Sequence, residues 1–246
     1  MFRIGILGAA DIAFNKFIPA LMKVEGVECA GVASNSPDKL KRFVEKYNVH
    51  VYSSYNEVIG DDSVDCVYIP LPPAFHYEWA KKALLAGKHV FLEKPSTTSA
   101  DDTKELVGIA GEKGLVVQEN YMFQFHAQLK EIENLIASGE LGKLRLVRTS
   151  FGFPRRAEGD FRYVKELGGG TMMDNGGYTI KLIDMLLGES MRLVSSQLDY
   201  DEKTGIDIFG TAEFVNDDGV IAQAAFGMDC QYQCSPVSYT HLRAHE

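Results

Sequence analysis

Long apolar runs are missing from this 246-residue chain. No stretch approaches the roughly 20 consecutive apolar residues of a membrane-spanning helix, so no membrane partner is expected. Cysteine is scarce and scattered. Cys29, Cys66, Cys230 and Cys234 contain no Cys-x-x-Cys pair, which favours reduced, buried thiols in a cytoplasmic protein over a disulfide framework. A Cys230–Cys234 metal half-site is the weaker alternative, and no metal-ligand spacing recurs elsewhere. Positive charge is in deficit, with 25 Lys and Arg against 34 Asp and Glu, a net charge of −9. A nucleic-acid binder usually carries a basic face, so nucleic acid is not an expected partner. An anionic cofactor remains possible, because oriented backbone dipoles act locally. No basic leader precedes an apolar core. Met1-Phe2-Arg3-Ile4 runs straight into strand-like sequence, so no signal peptide is expected. Repeats and low-complexity linkers are also absent.

What is present is an ordinary globular composition, 46% hydrophobic and 24% charged, arranged in two rhythms. Apolar runs at Phe2–Leu7, Val27–Ala33, Val64–Ile69, His89–Leu92 and Leu115–Gln118 read as short buried strands. Helical stretches at Ala13–Val24, Pro37–Tyr47, Phe75–Ala86 and Ser99–Lys113 separate them, with Gly87 and Gly114 as stop signals. This alternation implies a parallel sheet covered on both faces. After about Tyr121 the rhythm changes. A helix near Gln128–Ser138 leads into a strand at Lys143–Phe153, and a glycine-rich turn opens a helix near Thr171–Leu187. Strands at Leu193–Tyr200, Ile206–Asn216 and Val220–Met228 then follow one another, the last two joined by the turn Asn216-Asp217-Asp218-Gly219. Consecutive strands suggest an antiparallel sheet and a domain boundary near residue 120.

The last twelve residues, Ser235 to Glu246, have no apolar period. Their Ser-Tyr-Thr-His-Leu-Arg-Ala-His-Glu portion resembles translated sequencing-adapter DNA, and residues 235–246 are expected to be a non-native tail. A genuine disordered tail is the alternative. The expected division is therefore 1–120, 121–234 and 235–246, with the second domain truncated. Truncation of its sheet would expose apolar surface and an unpaired edge.

The first strand runs into Gly8-Ala9-Ala10-Asp11-Ile12-Ala13 and then a helix. This is a Gly-x-Gly-x-x-Gly loop with Ala10 and Ala13 in place of the later glycines. Such a loop needs a tight turn at Gly8, a small residue where backbone meets a pyrophosphate, and another where helix meets strand. Free N–H groups at the helix start bind the phosphates; a phosphate-free strand–turn–helix is the alternative. An acid at the end of the second strand would hold the ribose 2′-hydroxyl of NAD. Here Ser34-Asn35-Ser36 stand there, followed by Lys39, Lys41 and Arg42. NADP(H) is favoured and NAD(H) possible, unless those cations are only the solvated face of a helix.

Four stretches carry a resemblance that covers the chain to about residue 234. They are the loop Gly5-Ile6-Leu7-Gly8-Ala9-Ala10-Asp11-Ile12-Ala13, the run from His76 through Ala83-Leu84-Leu85-Ala86-Gly87-Lys88-His89-Val90-Phe91-Leu92 to Glu93-Lys94-Pro95, Leu135-Ile136-Ala137-Ser138-Gly139-Glu140-Leu141-Gly142, and Gly168-Gly169-Gly170-Thr171-Met172-Met173-Asp174-Asn175-Gly176-Gly177-Tyr178. Together they resemble the glucose–fructose oxidoreductase / inositol dehydrogenase / rhizopine-catabolism (Gfo/Idh/MocA) family. The resemblance implies an α/β protein: an N-terminal Rossmann domain with a doubly wound parallel sheet, then a C-terminal α+β domain with an open, mostly antiparallel sheet used for substrate and oligomerisation. It places the active site between them. Lys94 matches the family's lysine near the nicotinamide, and Asp174 and Tyr178 match its aspartate and its histidine-or-tyrosine. The implied cofactor site comprises Gly8, Ala9, Ala10, Asp11, Ile12, Ser34, Asn35, Lys39, Pro70, Leu71, His76, Glu93 and Lys94. The family is typically homo-oligomeric.

The chemistry of the residues agrees. Hydride transfer between a carbinol and a ketone needs a proton donor or acceptor at the oxygen. Tyr and Lys both titrate near 10 when unperturbed, and a neighbouring cation lowers the tyrosine, so Lys94 and Tyr178 could relay a proton. Asp174 and Tyr178 are i, i+4 on the expected helix, and Lys181 shares that face; Lys181 either meets an anionic substrate group or lies in solvent. Blander readings stand beside these: Glu93-Lys94-Pro95 as a strand end, Asp174 as a helix cap, Tyr178 as a core aromatic. His76, at the carboxyl end of a strand, fits helix initiation as well as a cofactor wall. His126 reads as structural or as a pocket wall. Phe161-Arg162-Tyr163 with Leu167-Gly168-Gly169-Gly170 looks most like the branch that reduces keto groups of nucleotide-linked hexoses, where a C3 ketone receives hydride from NADPH. Arg162 could there pair with a phosphate, and Tyr163 lies beside it. The expected function is an NAD(P)-dependent oxidoreductase acting on a sugar or nucleotide sugar. The alternatives are a redox-neutral glycosidase with tightly held NAD and a non-catalytic dinucleotide sensor.

Overall fold

The computed structural model describes residues 1–157, 159–188 and 190–241, with side chains through residue 236. The chain divides into two compact units, Met1–Asn120 and Tyr121–Glu246.

In the first unit, strands β1 (Phe2–Leu7), β2 (Val27–Ala33), β3 (Cys66–Ile69), β4 (His89–Leu92) and β5 (Val117–Glu119) form one sheet in the order β2-β1-β3-β4-β5. Every pairing is parallel. Helices α1 (Ile18–Leu21), α2 (Pro37–Tyr47), α3 (Tyr55–Gly60), α4 (His76–Leu85) and α5 (Ala100–Lys113) make the crossovers. Side chains alternate across a strand, so neighbouring residues feed opposite cores. Ile6, Val32 and Tyr68 pack with Ile18, Leu40 and Phe43 on one face. Leu7, Ala33, Val67 and Ile69 pack with Val58, Ala80, Leu84 and Leu106 on the other. That double burial is why the strands read as continuous apolar runs. The stretch read as a single helix from Ala13 is wound as a π-turn, Ala13–Phe17, before α1. Helix α3 was not expected, being only six residues long, yet its start is signalled. The Ser54 hydroxyl accepts from the Glu57 N–H (3.1 Å), and the Glu57 carboxylate accepts from the Ser53 N–H (2.6 Å), a relative of the capping box. Gly5 gives α3 its approach to β1, since a Cβ there would lie 2.3 Å from Val58 Cγ1.

The second unit holds α6 (Ala127–Ser138), α7 (Gly177–Leu187) and strands β6 (Lys143–Gly152), β7 (Arg192–Tyr200), β8 (Asp207–Val215), β9 (Ile221–Gly227) and β10 (Gln233–His241). The sheet order is β10-β6-β9-β8-β7, antiparallel except for the β6–β9 pair. Helix α7 seals one face with Ile183 and Leu187 against Val147, Phe214, Ala222 and Phe226. The opposite face is open, exposing Phe209 and Ile221. The β8–β9 hairpin closes through the expected turn, with Val220 N–H donating to Asn216 Oδ1 at 2.9 Å and Gly219 at φ +76°. One expectation needs correction. The strand rhythm does not stop at Cys234, because the backbone from Gln233 to His241 pairs antiparallel with β6, Gln233 opposite Gly152 and His241 opposite Lys143. Ladder hydrogen bonds need no side-chain pattern, and β6 offers a ten-residue row of N–H and C=O groups. Pro236 is tolerated because β10 is outermost. The rest of the expected tail, residues 242–246, lies outside the described residues.

Candidate active site

The first unit carries a cleft of about 490 Å³ at the carboxyl ends of its parallel strands, where open α/β sheets take ligands. Its floor is the glycine loop. Gly8 leaves β1 with its N–H on the Ala33 carbonyl (2.8 Å) and φ at +120°, and a Cβ there would sit 2.8 Å from Leu71 Cδ2. Only glycine is at ease in that conformation. Gly8, Ala9, Ala10, Ser34, Asn35, Lys39, Pro70 and Leu71, all expected here, line the cleft.

The three cations read as a group are divided among different tasks. Lys39 faces the cleft. Lys41 pairs with Asp38 at the surface (3.0 Å). Arg42 braces the glycine loop, donating to the Ala9 carbonyl (3.2 Å), pairing with Asp11 (2.6 Å) and stacking over Phe14 at 4.6 Å. Asp11 is thereby turned to Arg42, and neither it nor Ile12 lines the cleft. Sequence reasoning missed Tyr55, Phe75, Glu78 and Trp79, which form the far wall; Trp79 meets Tyr55 edge-on at 5.0 Å. For Phe75, Glu78 and Trp79 the signal was position, since the start of α4 follows β3 at the ligand end of the sheet; Tyr55 opens α3, which follows α2, and carried no such signal.

Beside the cleft stands the Glu93-Lys94-Pro95 turn at the end of β4. The Glu93 carboxylate accepts from the Tyr68 hydroxyl (2.6 Å) and the Asn120 amide (2.7 Å); burial first, then Glu93, pushes the Tyr68 phenol up. The Lys94 side chain is half-buried. His76 is fully buried, not a cleft wall, with Nδ1 2.8 Å from the Pro95 carbonyl oxygen and Nε2 2.7 Å from that of Leu71. It ties the cleft wall to the lysine turn. Burial pushes its pKa down, and the two carbonyls oppose that.

In the second unit, the turn Gly168–Gly170 opens into a π-turn, Met172–Gly176, that continues as α7. Gly170 is required at φ +118°, because a Cβ would strike Asp207, whose carboxylate accepts from the Met172 N–H at 2.6 Å. The Asn175 amide donates to the Phe151 and Gly227 carbonyls (2.7 and 2.9 Å), fixing the turn to the sheet. π-turns inside helices cluster at functional sites. This one delivers Asp174, 8% exposed, to the Arg162 guanidinium, whose Nε donates to Asp174 Oδ2 at 2.7 Å. Tyr178 stands in an aromatic cage, edge-on to Tyr121 (5.0 Å) and Phe151 (5.2 Å) and tilted on Phe123 (5.8 Å). It lines a largely apolar pocket of about 610 Å³ with His126, Leu129 and Leu182. His126 also caps α6, accepting from the Gln128 N–H. Two proposed substrate contacts are engaged within their own chain. Tyr163 donates to Asp229 (2.7 Å), and Lys181 pairs with Asp184 on α7 (3.1 Å). Among the described residues, no group of three or more His, Cys, Asp or Glu is placed to hold a metal, and no helix is long and apolar enough to cross a membrane.

Residues 2–121 match the oxidoreductase family with the NAD-binding Rossmann fold, and residues 129–242 match the GFO/IDH/MocA C-terminal domain. The chain belongs to the Gfo/Idh/MocA oxidoreductase family. Among its relatives is a dTDP-3,4-didehydro-2,6-dideoxy-alpha-D-glucose 3-reductase of Streptomyces violaceoruber, 39% identical over 94% of this chain and 68% of that protein. A D-xylose 1-dehydrogenase (NADP(+)) of Haloferax volcanii is 33% identical over 92% of this chain and 69% of that protein. The fold superposes on KijD10, a 3-ketoreductase from Actinomadura kijaniata solved with NADP and TDP-benzene. The TM-score is 0.94 and the identity 35%, over 97% of this chain and 74% of that one.

Proposed function

We propose that this family member is an NADPH-dependent reductase of the 3-keto group of a dTDP-linked deoxyhexose. The observation that carries the substrate class is the 39% identity, over 94% of the chain, to a 3-reductase of that chemistry. The cleft fits the cofactor on its own terms. Gly8 leaves space that a Cβ would fill, and the rim presents Ser34, Asn35 and Lys39 with no acid at the end of β2. A carboxylate there would repel a 2′-phosphate.

We assign the loop N–H groups of Ala9 and Ala10 to the pyrophosphate, Ser34, Asn35 and Lys39 to the ribose phosphate, and Tyr55, Phe75 and Trp79 to the base. NADPH held by these residues would supply the hydride for the ketone carbon. The remaining work falls to this chain's side chains. Tyr178 supplies the proton that the ketone oxygen takes up. Lys94 places an ammonium charge at the ligand end of β4, where it favours negative charge on oxygen. Asp174, whose Oδ2 accepts from Arg162 Nε at 2.7 Å, orients the reacting sugar. The apolar pocket beside Tyr178 suits a sugar that has lost hydroxyls, since burying an unpaired hydroxyl costs about 1–3 kcal/mol.

The test is NADPH oxidation by the purified chain with a dTDP-linked 3-keto-deoxyhexose, run beside NADH and beside free aldoses. Stoichiometric formation of the alcohol, faster with NADPH, is the expected result. NADPH binding without turnover of any keto sugar would sink the proposal in favour of a sensor. Release of a glycone with no net NADPH consumption would point to a glycosidase.

A further inference from the structure

Arg162 is held at three points before it reaches Asp174. Its backbone N–H donates to Asp160 Oδ1 at 3.0 Å, its carbonyl accepts from the Gly170 N–H at 3.0 Å, and its NH1 lies 3.2 and 3.4 Å from the two Asp160 oxygens. Gly169 permits the fit, because a Cβ there would lie 2.6 Å from the Arg162 carbonyl oxygen and 2.7 Å from that of Val164. The guanidinium also lies over the Phe161 ring at 4.5 Å. The Nε edge of the same guanidinium meets Asp174 Oδ2 at 2.7 Å. The side chains of Arg162, Asp160 and Asp174 are 22, 22 and 10% exposed. Asp174 is fixed from its own side as well, on a π-turn anchored by Asp207 and Asn175.

An arginine built to receive a substrate phosphate keeps its planar fork open. Here two of the three guanidinium nitrogens already face carboxylates, and the segment that carries them is folded so that they do. From this geometry we infer that Arg162 is a positioning residue, which clamps the Asp174 carboxylate in one orientation for the reaction instead of binding a phosphate. The inference rests on the proposed role of Asp174. Loss of the Arg162 contact loosens the placement of the carboxylate, and misplacement of an orienting group by an ångström costs on the order of 100-fold in rate. Lysine is a poor substitute, because one ammonium lacks the fork that spans Asp160 and Asp174 together.

The test compares the full chain as wild type, Arg162→Met, Arg162→Lys, Asp174→Asn and the Met/Asn double variant. With NADPH and the keto nucleotide sugar, Arg162→Met should lower kcat by about 10–100-fold with KM within about twofold. Arg162→Lys should recover part of the loss. The double variant should be no more than about twofold slower than Asp174→Asn alone, as expected of a residue acting through Asp174. A raised KM with unchanged kcat, or losses that multiply in the double variant, would overturn the inference. Carbon-13 NMR titration of Asp174 needs no turnover, and its midpoint should rise in Arg162→Met, because the cation 2.7 Å from Oδ2 is removed. That rise in a protein that reduces nothing would sink the reductase reading and leave the clamp standing. An unmoved midpoint would sink the clamp whatever the activity. If Arg162→Met does not fold, Arg162→Lys carries the same kinetic comparison, with a loss in kcat at unchanged KM expected.

Discussion

Replacing Lys39 by alanine should lower affinity for NADPH and leave NADH untouched. The size follows from how the neighbouring cations are used. Arg42 is committed to Ala9 and Asp11, and Lys41 to Asp38. Lys39 is the only lysine or arginine among the described cleft-lining residues. Two unit charges about 4 Å apart interact by about 1 kcal/mol in water-like surroundings. A 2′-phosphate carries close to two charges, and salt screens an exposed lysine, so about 1–2 kcal/mol is expected, or roughly 5–30-fold in Kd. Fluorescence titration with both nucleotides, at low and high salt, reads the effect. NADPH should weaken by that factor in Lys39→Ala and lose most of its salt dependence, with the NADH Kd unchanged within twofold. Ser34→Asp should act in the same direction by placing a carboxylate where the phosphate belongs, and should also tighten NADH through its ribose hydroxyl. Equal weakening of both nucleotides by Lys39→Ala would refute the assignment. So would a loss of preference in Arg42→Ala with none in Lys39→Ala.

Gly8→Ala should be the most damaging single methyl in the loop. The φ of +120° costs a non-glycine residue about 1–3 kcal/mol, and the new methyl drives Leu71 into the cleft; NADPH affinity should fall at least about tenfold, and wild-type affinity would refute the close approach. His76→Ala removes the group facing the Leu71 and Pro95 carbonyls. Unmade hydrogen bonds and a buried void together should cost about 2–4 kcal/mol in urea unfolding, and a loss under about 1 kcal/mol would mean that the ring only fills space. Stability should also fall at alkaline pH. Burial, the larger cause, together with Asp65 pushes the Cys66 thiol from 9.0 up to about 12. The folded state therefore keeps a proton that the unfolded chain releases, and stability declines from about pH 9 upward by about 1.4 kcal/mol per pH unit for this thiol. Cys66→Ala should flatten the urea midpoint against pH by that amount, and an unchanged slope would contradict it.

Buried parallel strands declare themselves, because both faces demand apolar residues. Strands β1, β2 and β4 begin and end where the apolar runs do. Elements whose signal lies outside periodicity are harder to see. Helix α3 is too short to show a period, although Ser54 and Glu57 announce its start. Partnerships across sequence are not legible at all. Lys39, Lys41 and Arg42 look alike in the sequence, and only the fold sends Arg42 to a carbonyl 33 residues away. The same limit applies to the glycines of the second unit. Their clustering marks a turn, but the reason for Gly169 and Gly170 is the approach of the Arg162 carbonyl and the Asp207 carboxylate.

The spacing of Asp174 and Tyr178 shows what such a limit does to a mechanism. On an α-helix, i and i+4 share a face, which would make the two side chains neighbours by spacing alone. The chain is wound as a π-turn over Met172–Gly176, and the wider turn shifts the angular phase of everything after it. Asp174 is then nearly buried against Arg162, and Tyr178 sits in a cage of Tyr121, Phe123 and Phe151. Five helical residues read the same whether wound with i+4 or i+5 hydrogen bonds, so the sequence carries no mark of the change. What holds the wider turn is tertiary. Asn175 reaches two sheet carbonyls, Asp207 receives the Met172 N–H, and Gly177 admits the Tyr121 hydroxyl where a Cβ would collide. Two side chains whose spacing suggests one shared face are thus given different surroundings. The carboxylate is fixed by a guanidinium and the phenol is walled by aromatic rings, different surroundings that suit the different roles proposed for them.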